Sequence, residues 1–404
     1  MKKSKFLITG ILIAFGMKAQ DTSQVKLNYT QQPVNSAQRI INGDFDGKVR
    51  IGAYAQVDYN QPFNDTAYAN GNLDVHRFVT FMGYKFNQKV HFVSEIEFEH
   101  VKEVYIEQAF LNYRIKPWLN FRGGLMLIPM GIINEYHEPT TYYGVERPNI
   151  DGKIVPTTWR ELGAGFMGNI DKYGIRYQLY AVNGFKSFDG SGTLRGSDGF
   201  RKGRQKGAES IMSSPNFSGK VDYYGINGLK IGVAGYFGNT QSTAYNGLPK
   251  DSTDWIKQAD STVVGLSMIG FDVRYTYKFF NLRGQYILAN ISNAAAYNKY
   301  TGKDIGSSMN GYYAEIGIDV LNLINKDAKE KLILSGRYEF YDTQATVPAD
   351  MIKNDAYART DYTFGINYFV APGAVIKGDY QIFQTEAKGS EPSSQLNFGI
   401  GIWF

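Results

Sequence analysis

The sequence predicts an all-β fold, a transmembrane antiparallel β-barrel of about 16 strands, and three observations lead to this prediction. Short segments in which apolar and polar residues alternate follow one another over most of the chain. Tight turns and long loops alternate between those segments. One inserted stretch, residues 129–160, shows neither a strand period nor a helix period. We predict that this stretch is a long loop that follows the fifth strand and folds inward.

The residue composition agrees with a membrane barrel. The chain has 30 Tyr, 26 Phe and 44 Gly, and its mean hydropathy is −0.32. Beyond the first twenty residues no run approaches eighteen apolar residues, which excludes membrane-spanning helices but not strands, whose lipid-facing residues only alternate. Composition alone also fits a soluble all-β protein. The absence of cysteine excludes a disulfide framework and thiolate metal sites.

Three regions are expected along the chain. Residues 1–20 combine three early lysines, an apolar run and a small residue near the cleavage point, which is the order of a secretory signal peptide. Residues 21–48 are polar and without a period, and we predict a short periplasmic lead-in. Residues 49–404 are predicted to form the barrel. The formal charge of +5 includes four signal lysines, so the mature chain is nearly neutral and gives no support to nucleic-acid binding.

The predicted strands share an alternation of one apolar and one polar face. The first segment, VRIGAYAQVDY from residue 49, shows it clearly, and an even strand count is expected of a single-chain bacterial barrel. The strands lie near residues 49–60, 71–87, 89–100, 103–115, 118–128, 161–170, 173–184, 216–226, 229–239, 263–279, 281–292, 309–321, 331–343, 358–370, 373–386 and 393–404. The last one ends on Phe404, which resembles the C-terminal signal by which outer-membrane barrels are recognised for assembly.

The connections between strands differ with strand number. Tight links such as Asn87-Gln88 and Ala371-Pro372 follow even-numbered strands. Long links such as 185–215 and 240–262 follow most odd-numbered strands. A barrel with short periplasmic turns and longer outer loops requires this order, and a soluble sandwich does not. We therefore expect the protein in the bacterial outer membrane.

The polar faces predict the lining of the lumen. The charged residues on those faces are Glu95, Glu97, Glu99, Arg114, Arg122, Arg176, Lys220, Asp222, Lys230, Asp272, Arg274, Lys278, Arg283, Glu315, Asp319, Arg337, Glu339, Lys377 and Asp379. Unpaired charge is costly to remove from water, so such a wall predicts an aqueous channel, for which about sixteen strands leave room. Two hypotheses stay open: a transverse electric field across the pore, or pairing of charges between strands.

Two loops carry the remaining charge. In the inserted stretch, 129–160, four prolines restrict the backbone, and we predict that it narrows the channel. The alternative is an outer loop that caps the barrel or contacts a neighbouring subunit. The basic loop at 185–215 is expected either to meet lipopolysaccharide phosphates and attract anions, or to be solvated and flexible.

Three stretches resemble the phosphate-selective porin O and P type barrels, and more closely their uncharacterised members common in Bacteroidetes. They are GGLMLIPMG at 123–131, GVERP at 144–148 and TTWRELGAGF at 157–166. The resemblance implies a sixteen-stranded, trimeric outer-membrane channel in which Arg147 and Arg160 lie at the constriction. Where family members commonly carry a lysine near the Pro-x-Gly exit, this chain has Leu127 and Ile128.

The functional hypothesis is a porin for passive diffusion of small polar or charged solutes, anions such as phosphate among them, without a cofactor. The residues expected to contact solute are Glu95, Glu97, Glu99, Arg114, Arg122, Glu146, Arg147, Lys153, Arg160 and Arg176. The expected partners are solutes, outer-membrane lipid, lipopolysaccharide and, in a homotrimer, two further copies.

Two other functions stay open. One is a structural or adhesive barrel, or a subunit of an envelope complex, with a plugged lumen. The other is a membrane-embedded hydrolase using His137 beside Glu138, but we predict no enzyme because no local motif pairs a histidine with a nucleophilic serine. No metal site is predicted, since the carboxylates and histidines lack a spacing such as HExxH or an EF-hand loop.

Overall fold

The computed structural model describes residues 35–43, 47–63 and 68–404, so the predicted signal peptide at 1–20 lies outside the described residues. The barrel strands are β1 (Val49–Phe63), β2 (Asn72–Lys85), β3 (Val90–Glu99), β4 (Glu103–Lys116), β5 (Leu119–Leu127), β6 (Arg160–Ile170), β7 (Ile175–Val182), β9 (Asn216–Ile226), β10 (Leu229–Asn239), β12 (Gly265–Tyr277), β13 (Phe280–Ser292), β14 (Ser308–Asp319), β15 (Lys331–Thr346), β16 (Ala358–Ala371), β17 (Ala374–Thr385) and β18 (Ser393–Trp403). Two short outer strands, β8 (Lys186–Phe188) and β11 (Gln241–Ser242), pair with each other in parallel.

The sixteen barrel strands close into a single antiparallel ring, in which each strand pairs with its neighbours in the chain and β1 pairs with β18. The predicted barrel and its strand number are confirmed. Among the described residues five α-helices accompany it: α1 (Ser36–Asn42), α2 (Ile150–Lys153), α3 (Thr253–Asp260), α4 (Ala294–Thr301) and α5 (Val320–Ile324). Within the described ranges, no helix is long and apolar enough to cross a membrane.

Alternation along the strands separates an apolar outer face from a buried inner face. On β9, for example, Phe217 and Val221 are 53% and 51% exposed, whereas Lys220 and Asp222 between and beside them are 2% and 1% exposed. Side chains of successive strand residues point to opposite faces, so this pattern gives the barrel a hydrophobic exterior and a polar interior. The core of the molecule is therefore the lumen.

Most short links lie at one end of the barrel and the long loops at the other, as their order along the chain predicts. The exceptions are the short β3–β4 link at the outer end and the longer β14–β15 link, which contains α5, at the opposite end. At the link between β9 and β10, Gly228 adopts a φ of +77°, which a residue without a Cβ reaches without strain. One lining prediction is wrong: Lys278 is exposed and lies in the turn between β12 and β13, because β12 ends at Tyr277.

Part of the predicted lead-in is a helix at the barrel wall. α1 follows Asn35, whose side chain accepts a hydrogen bond from the N–H of Gln38 at 2.9 Å. Ile40 is fully buried against Gly83 of β2, where a Cβ would lie 2.1 Å from the Ile40 side chain. The helix has only seven residues, which are too few to show a helical period in the sequence.

The outward face of β9 allows a test of the membrane barrel. We expect Val221→Arg, at the middle of the strand, to lower the free energy of unfolding in lipid vesicles by about 2–4 kcal/mol, because arginine is costly at the bilayer midplane. Ile226→Arg, at the end of the same strand, is the control and is expected to cost about 0–1 kcal/mol. Equal costs for both variants, measured by denaturant titration, would contradict a membrane-spanning β9.

Candidate functional site in the barrel lumen

The loop between β5 and β6 is closed at its base by one asparagine. The Asn134 side-chain amide donates to the carbonyls of Ile128 at 2.7 Å and Trp159 at 2.9 Å. Its oxygen accepts the Trp159 N–H at 2.7 Å. Because Ile128 and Trp159 lie at the two ends of the loop, Asn134 holds those ends together. We call residues 128–159 the inner loop.

The inner loop crosses the whole lumen. Glu339 of β15 accepts hydrogen bonds from the backbone N–H groups of Asn149, at 3.0 Å, and Ile150. β15 stands eight places from β5 around the ring of sixteen strands, and so lies diametrically opposite the strand from which the loop departs. The predicted inward folding of the loop is confirmed, and the alternative of an outer cap is wrong.

Cationic side chains of the wall satisfy the backbone carbonyls of the inner loop. Lys377 of β17 donates to the carbonyls of Tyr142 and Gly144, both at 2.8 Å. Lys220 of β9 donates to the carbonyl of Gly131 at 2.8 Å. A buried backbone group without a partner is costly, and a loop without regular structure cannot supply the partners itself. The charged wall therefore serves as the hydrogen-bonding surface for the loop.

Many charged side chains of the wall beside the inner loop are buried, and several of them form ion pairs. Arg77 of β2 and Glu339 are fully buried, and Lys220 is 2% exposed. Lys220 Nζ lies 2.8 Å from Asp272, and Arg283 Nε lies 2.9 Å from Glu315. Of the two hypotheses for these charges, pairing between strands describes the contacts. The expectation of a wetted charged wall is wrong at the level of the inner loop, because the loop occupies that space.

Buried acidic residues face the loop where it passes β3 and β4. Glu95 and Glu97 of β3, which we predicted to contact solute, face the lumen and are buried there. Glu107 of β4 joins them, although strict alternation of β4 would direct it outward. The pairing shifts by one residue between Glu95 and Ile96, so Glu107 is the extra residue of a β-bulge and turns inward.

His137 of the inner loop lies against these carboxylates. Its Nε2 is 2.9 Å from the Tyr54 hydroxyl and 3.3 Å from Glu107 Oε2, and its Nδ1 is 3.3 Å from the Asn134 carbonyl oxygen. Burial alone would lower the pKa of His137, but the Glu107 carboxylate outweighs burial and the pKa rises to about 9. In the described part of the chain these ring contacts include no serine, so the arrangement does not form the histidine–serine pair considered for a hydrolase.

A second cluster holds the loop at Glu135 and Tyr136. Arg176 Nη2 lies 3.0 Å and Lys220 Nζ 3.4 Å from the Glu135 carboxylate. Burial disfavours this carboxylate, but Arg176 and Lys220 outweigh burial and hold the pKa of Glu135 below its usual range. Burial would likewise raise the pKa of Tyr136, but Lys230 and Arg176, which both donate to its hydroxyl, lower it to about 8.

The other predicted site residues are spread around the wall. Arg122 lies over the Phe110 ring with its guanidinium carbon 4.3 Å from the ring centre. Arg114 is partly exposed near the end of β4 that meets the short turn. Glu99 is partly exposed at the outer end of β3 and lies 4.0 Å from His100.

The two arginines predicted at the constriction belong to different sectors of the wall. Arg147 is partly exposed and follows Glu146, which accepts a hydrogen bond from Asn60 of β1 at 2.8 Å. Arg160 is 2% exposed and lies 4.0 Å from Glu107 of β4. The contacts therefore do not join Arg147 and Arg160 in one group.

The basic outer loop covers the outer end of the inner loop. Arg204 Nη1 donates to the carbonyls of Pro156 at 3.1 Å and Thr157 at 2.9 Å, and Arg201 donates to Thr157 at 3.2 Å. Burial, with Arg201 nearby, lowers the pKa of Arg204 to about 9. Lys153 of the inner loop pairs with Asp198 at 3.6 Å. The expectation of a purely solvated loop is wrong for these residues.

Sequence reasoning missed two central residues. Arg77 donates a hydrogen bond to the His137 carbonyl at 2.6 Å. Alternation did not identify it as a lumen residue because Val79 and Phe81, which are apolar, lie on the same inward face of β2 and are also buried. Glu107 was missed because a bulge cannot be read from alternation alone. A carboxylate on the supposed lipid face of β4 was the available signal, since charge is costly there.

Comparison with known proteins places the chain in a family. An uncharacterized protein of Aquifex aeolicus (strain VF5) is 32% identical over 341 residues, which are 82% of this chain and 75% of that protein. This chain belongs to the family of that Aquifex protein. No family model matches the sequence.

Solved structures share the fold. The anion-selective porin of Comamonas acidovorans has a TM-score of 0.55 at 13% identity, with 88% of this chain and 100% of that chain covered. The outer membrane channel DcaP of Acinetobacter baumannii has a TM-score of 0.56 at 11% identity, with 88% of this chain and 97% of that chain covered. Salmonella typhi OmpF in complex with daunomycin has a TM-score of 0.55 at 12% identity, with the same two coverages. With its apolar exterior, the chain is a porin-type barrel of the bacterial outer membrane.

Asp151 of the inner loop provides a pH test of loop burial. Burial raises the pKa of Asp151 to about 7 from 3.8, a rise that the hydrogen bond from Gln285 only partly offsets. The folded state therefore binds a proton that the unfolded state has released, and wild-type stability falls as pH rises from about 4 through 7. We expect Asp151→Asn to be more stable than wild type, by up to about 4 kcal/mol at pH 8 and by less at pH 5.

The measurement is chemical denaturation of the folded protein in detergent micelles at both pH values. Asp251→Asn, in an exposed outer loop, is the matched control and is expected to change little at either pH. A stability difference for Asp151→Asn that does not grow between pH 5 and pH 8 would contradict the burial of a carboxyl group at this position.

Proposed function

We propose that this protein is an outer-membrane channel for passive diffusion of small polar or charged solutes, and that the inner loop sets the width of its path. The observation that carries the proposal is the inner loop itself, which follows β5 and crosses the lumen of a closed sixteen-strand barrel. General porins narrow their channels with a loop at this position. A channel needs no nucleophile or cofactor, so we propose no enzymatic activity.

The inner loop is expected to limit conductance. Glu339→Gln combined with Lys377→Met removes wall charges that hold four backbone groups of the loop. We expect single-channel conductance in planar bilayers to rise roughly twofold or more, because a sixteen-strand barrel is wide enough for an aqueous channel once the loop moves. Lys116→Met, at the exposed end of β4 next to a short turn, is the control. An unchanged conductance in the double variant would contradict a limiting role for the loop.

We further propose that anions such as phosphate are among the solutes. The Comamonas porin is described as anion-selective. In this chain, Arg147 is partly exposed in the lumen, and Arg195, Arg201 and Lys202 lie in the basic outer loop, where they would attract anions toward the mouth. The resemblance to the phosphate-selective porin O and P barrels supports the same solute class and a homotrimeric assembly. Lipopolysaccharide phosphates are a second expected partner of the basic loop.

The reversal potential under a salt gradient tests the anion preference. We expect wild type to favour anions and Arg147→Ala with Arg160→Ala to shift the potential toward cation preference, because the variant removes the partly exposed positive charge of Arg147 and the buried positive charge of Arg160. The matched control removes two exposed positive charges at the end with the short turns, through Lys116→Ala at the end of β4 with Lys278→Ala in the β12–β13 turn. A cation-leaning potential that neither double variant changes would contradict the anion proposal and leave a general porin.

The burial of the inner loop favours a second candidate, a structural barrel or envelope-complex subunit with a plugged lumen. Residues 128–139 are all buried, and Tyr142 and Val145 beyond them are each 1% exposed. The conductance measurement separates the two candidates. Closed bilayer traces from folded wild type and from Glu339→Gln with Lys377→Met would overturn the channel and favour the plug.

A further inference from the structure

We propose that Glu95, Glu107 and His137 form a binding site for a divalent metal cation that joins the inner loop to the barrel wall. One ligand atom from each of the three residues can be chosen so that all lie within 4.8 Å of one another, and all three side chains are buried. The site goes beyond channel function, and its test does not involve conductance.

The backbone of β4 is shaped to bring Glu107 into this group. Bulges commonly redirect a side chain toward a functional site, and here the bulge turns a carboxylate inward that regular pairing would direct to lipid. Burying a carboxylate costs free energy unless other groups compensate its charge. The bulge therefore places Glu107, the second carboxylate of the proposed site, inside the lumen, whereas a regular β4 strand would direct it outward.

The distances between donor atoms suit a small cation. His137 Nε2 and Glu107 Oε2 are 3.3 Å apart, and the Tyr54 hydroxyl lies 2.9 Å from each of these atoms. Ligands about 2.0–2.2 Å from a tetrahedral metal stand about 3.4 Å apart. The nitrogen and one carboxylate oxygen are thus at ligand spacing, and Glu95 requires a modest side-chain movement to complete the set.

The second oxygen of the Glu107 carboxylate favours a bound cation. Glu107 is fully buried, and its Oε1 has no hydrogen-bond partner among the described residues. Arg160 Nη1 lies 4.0 Å from that oxygen. Glu95, Glu97 and Glu107 bring three carboxylates, and Arg77, Arg160 and the protonated His137 bring three positive groups. A metal ion would replace the His137 proton and meet the unpaired Glu107 oxygen.

Neighbouring groups orient the proposed ligands. His137 Nδ1 faces the Asn134 carbonyl oxygen at 3.3 Å, so Nδ1–H donates to it and Nε2 is the nitrogen available to a metal. The Gln108 amide donates to Glu95 Oε2 at 2.8 Å, which leaves Glu95 Oε1 for coordination. Metal-binding histidines usually donate their second ring N–H to a carbonyl or carboxylate in this way.

The donor set defines the class of ion. One imidazole nitrogen and two carboxylate oxygens suit Zn²⁺ and other first-row divalent ions, and the absence of sulfur disfavours Cu⁺. Bound there, the ion would link β3, β4 and the inner loop. Because Asn134 also ties the base of the loop, the segment from Asn134 to His137 would be held at both ends.

The test is Zn²⁺ binding to the full-length folded protein in detergent micelles, after treatment with EDTA and dialysis. We expect one tightly bound equivalent per chain by elemental analysis. Glu107→Gln and His137→Gln are each expected to weaken binding by about tenfold or more. In wild type, but not in these variants, Zn²⁺ is expected to slow hydrogen exchange of the backbone amides at 134–142.

The matched control is His76→Gln with His100→Gln. These partly exposed histidines have ring centres 5.5 Å apart at the outer end of the barrel and are the alternative place for Zn²⁺. The site is overturned if wild type binds no equivalent, if Glu107→Gln retains full affinity, or if only the control loses binding. If Glu107→Gln does not show the heat-dependent gel shift of a folded barrel, the Zn²⁺ affinity of Glu95→Gln is measured in its place. Full affinity in Glu95→Gln would then overturn the site.

Discussion

The structure depends on one constraint, which is that the inner loop's buried backbone has to find its hydrogen-bond partners on the barrel wall. An irregular segment cannot pair its own N–H and C=O groups as a helix or sheet does. Lys377, Lys220 and Arg283 supply donors to its carbonyls, and Glu339 and Asp379 accept from its N–H groups. These wall charges are thus matched to the loop, and Lys220, Arg283 and Glu339 also pair with a neighbouring charge.

The pairing of the wall charges weakens the electric field that an ion would meet in the lumen. Opposite charges held within about 3–4 Å of one another largely cancel at a distance, so the buried wall produces a weak field across the pore. In the proposed channel, discrimination between solutes would then rest on steric access past the inner loop and on partly exposed charges such as Arg147 and Lys153. Charge counts taken from sequence overstate the electrostatic selectivity of such a barrel.

The sequence predicted the barrel well because alternation and loop order are local signals. Every barrel strand falls within a few residues of its predicted range, and the inward loop follows the predicted strand. The site was predicted less well, for physical reasons. Glu107 turns inward through a one-residue bulge, and Arg77 lies on a strand whose inner face also packs Val79 and Phe81. The separation of Arg147 from Arg160 depends on how the loop crosses the lumen, which no local pattern records.

The path of the inner loop also bears on how the barrel closes during assembly. The loop contacts Gln56 and Asn60 on β1 and Lys377 and Asp379 on β17, while β18 lies between those strands and offers Gly399 and Gly401 beneath Val145 and Pro139. The first and last strands of the chain meet at this seam. The inner loop therefore spans the joint between the first and last strands on its inner side, and its contacts on both sides of the joint stabilise the closed ring.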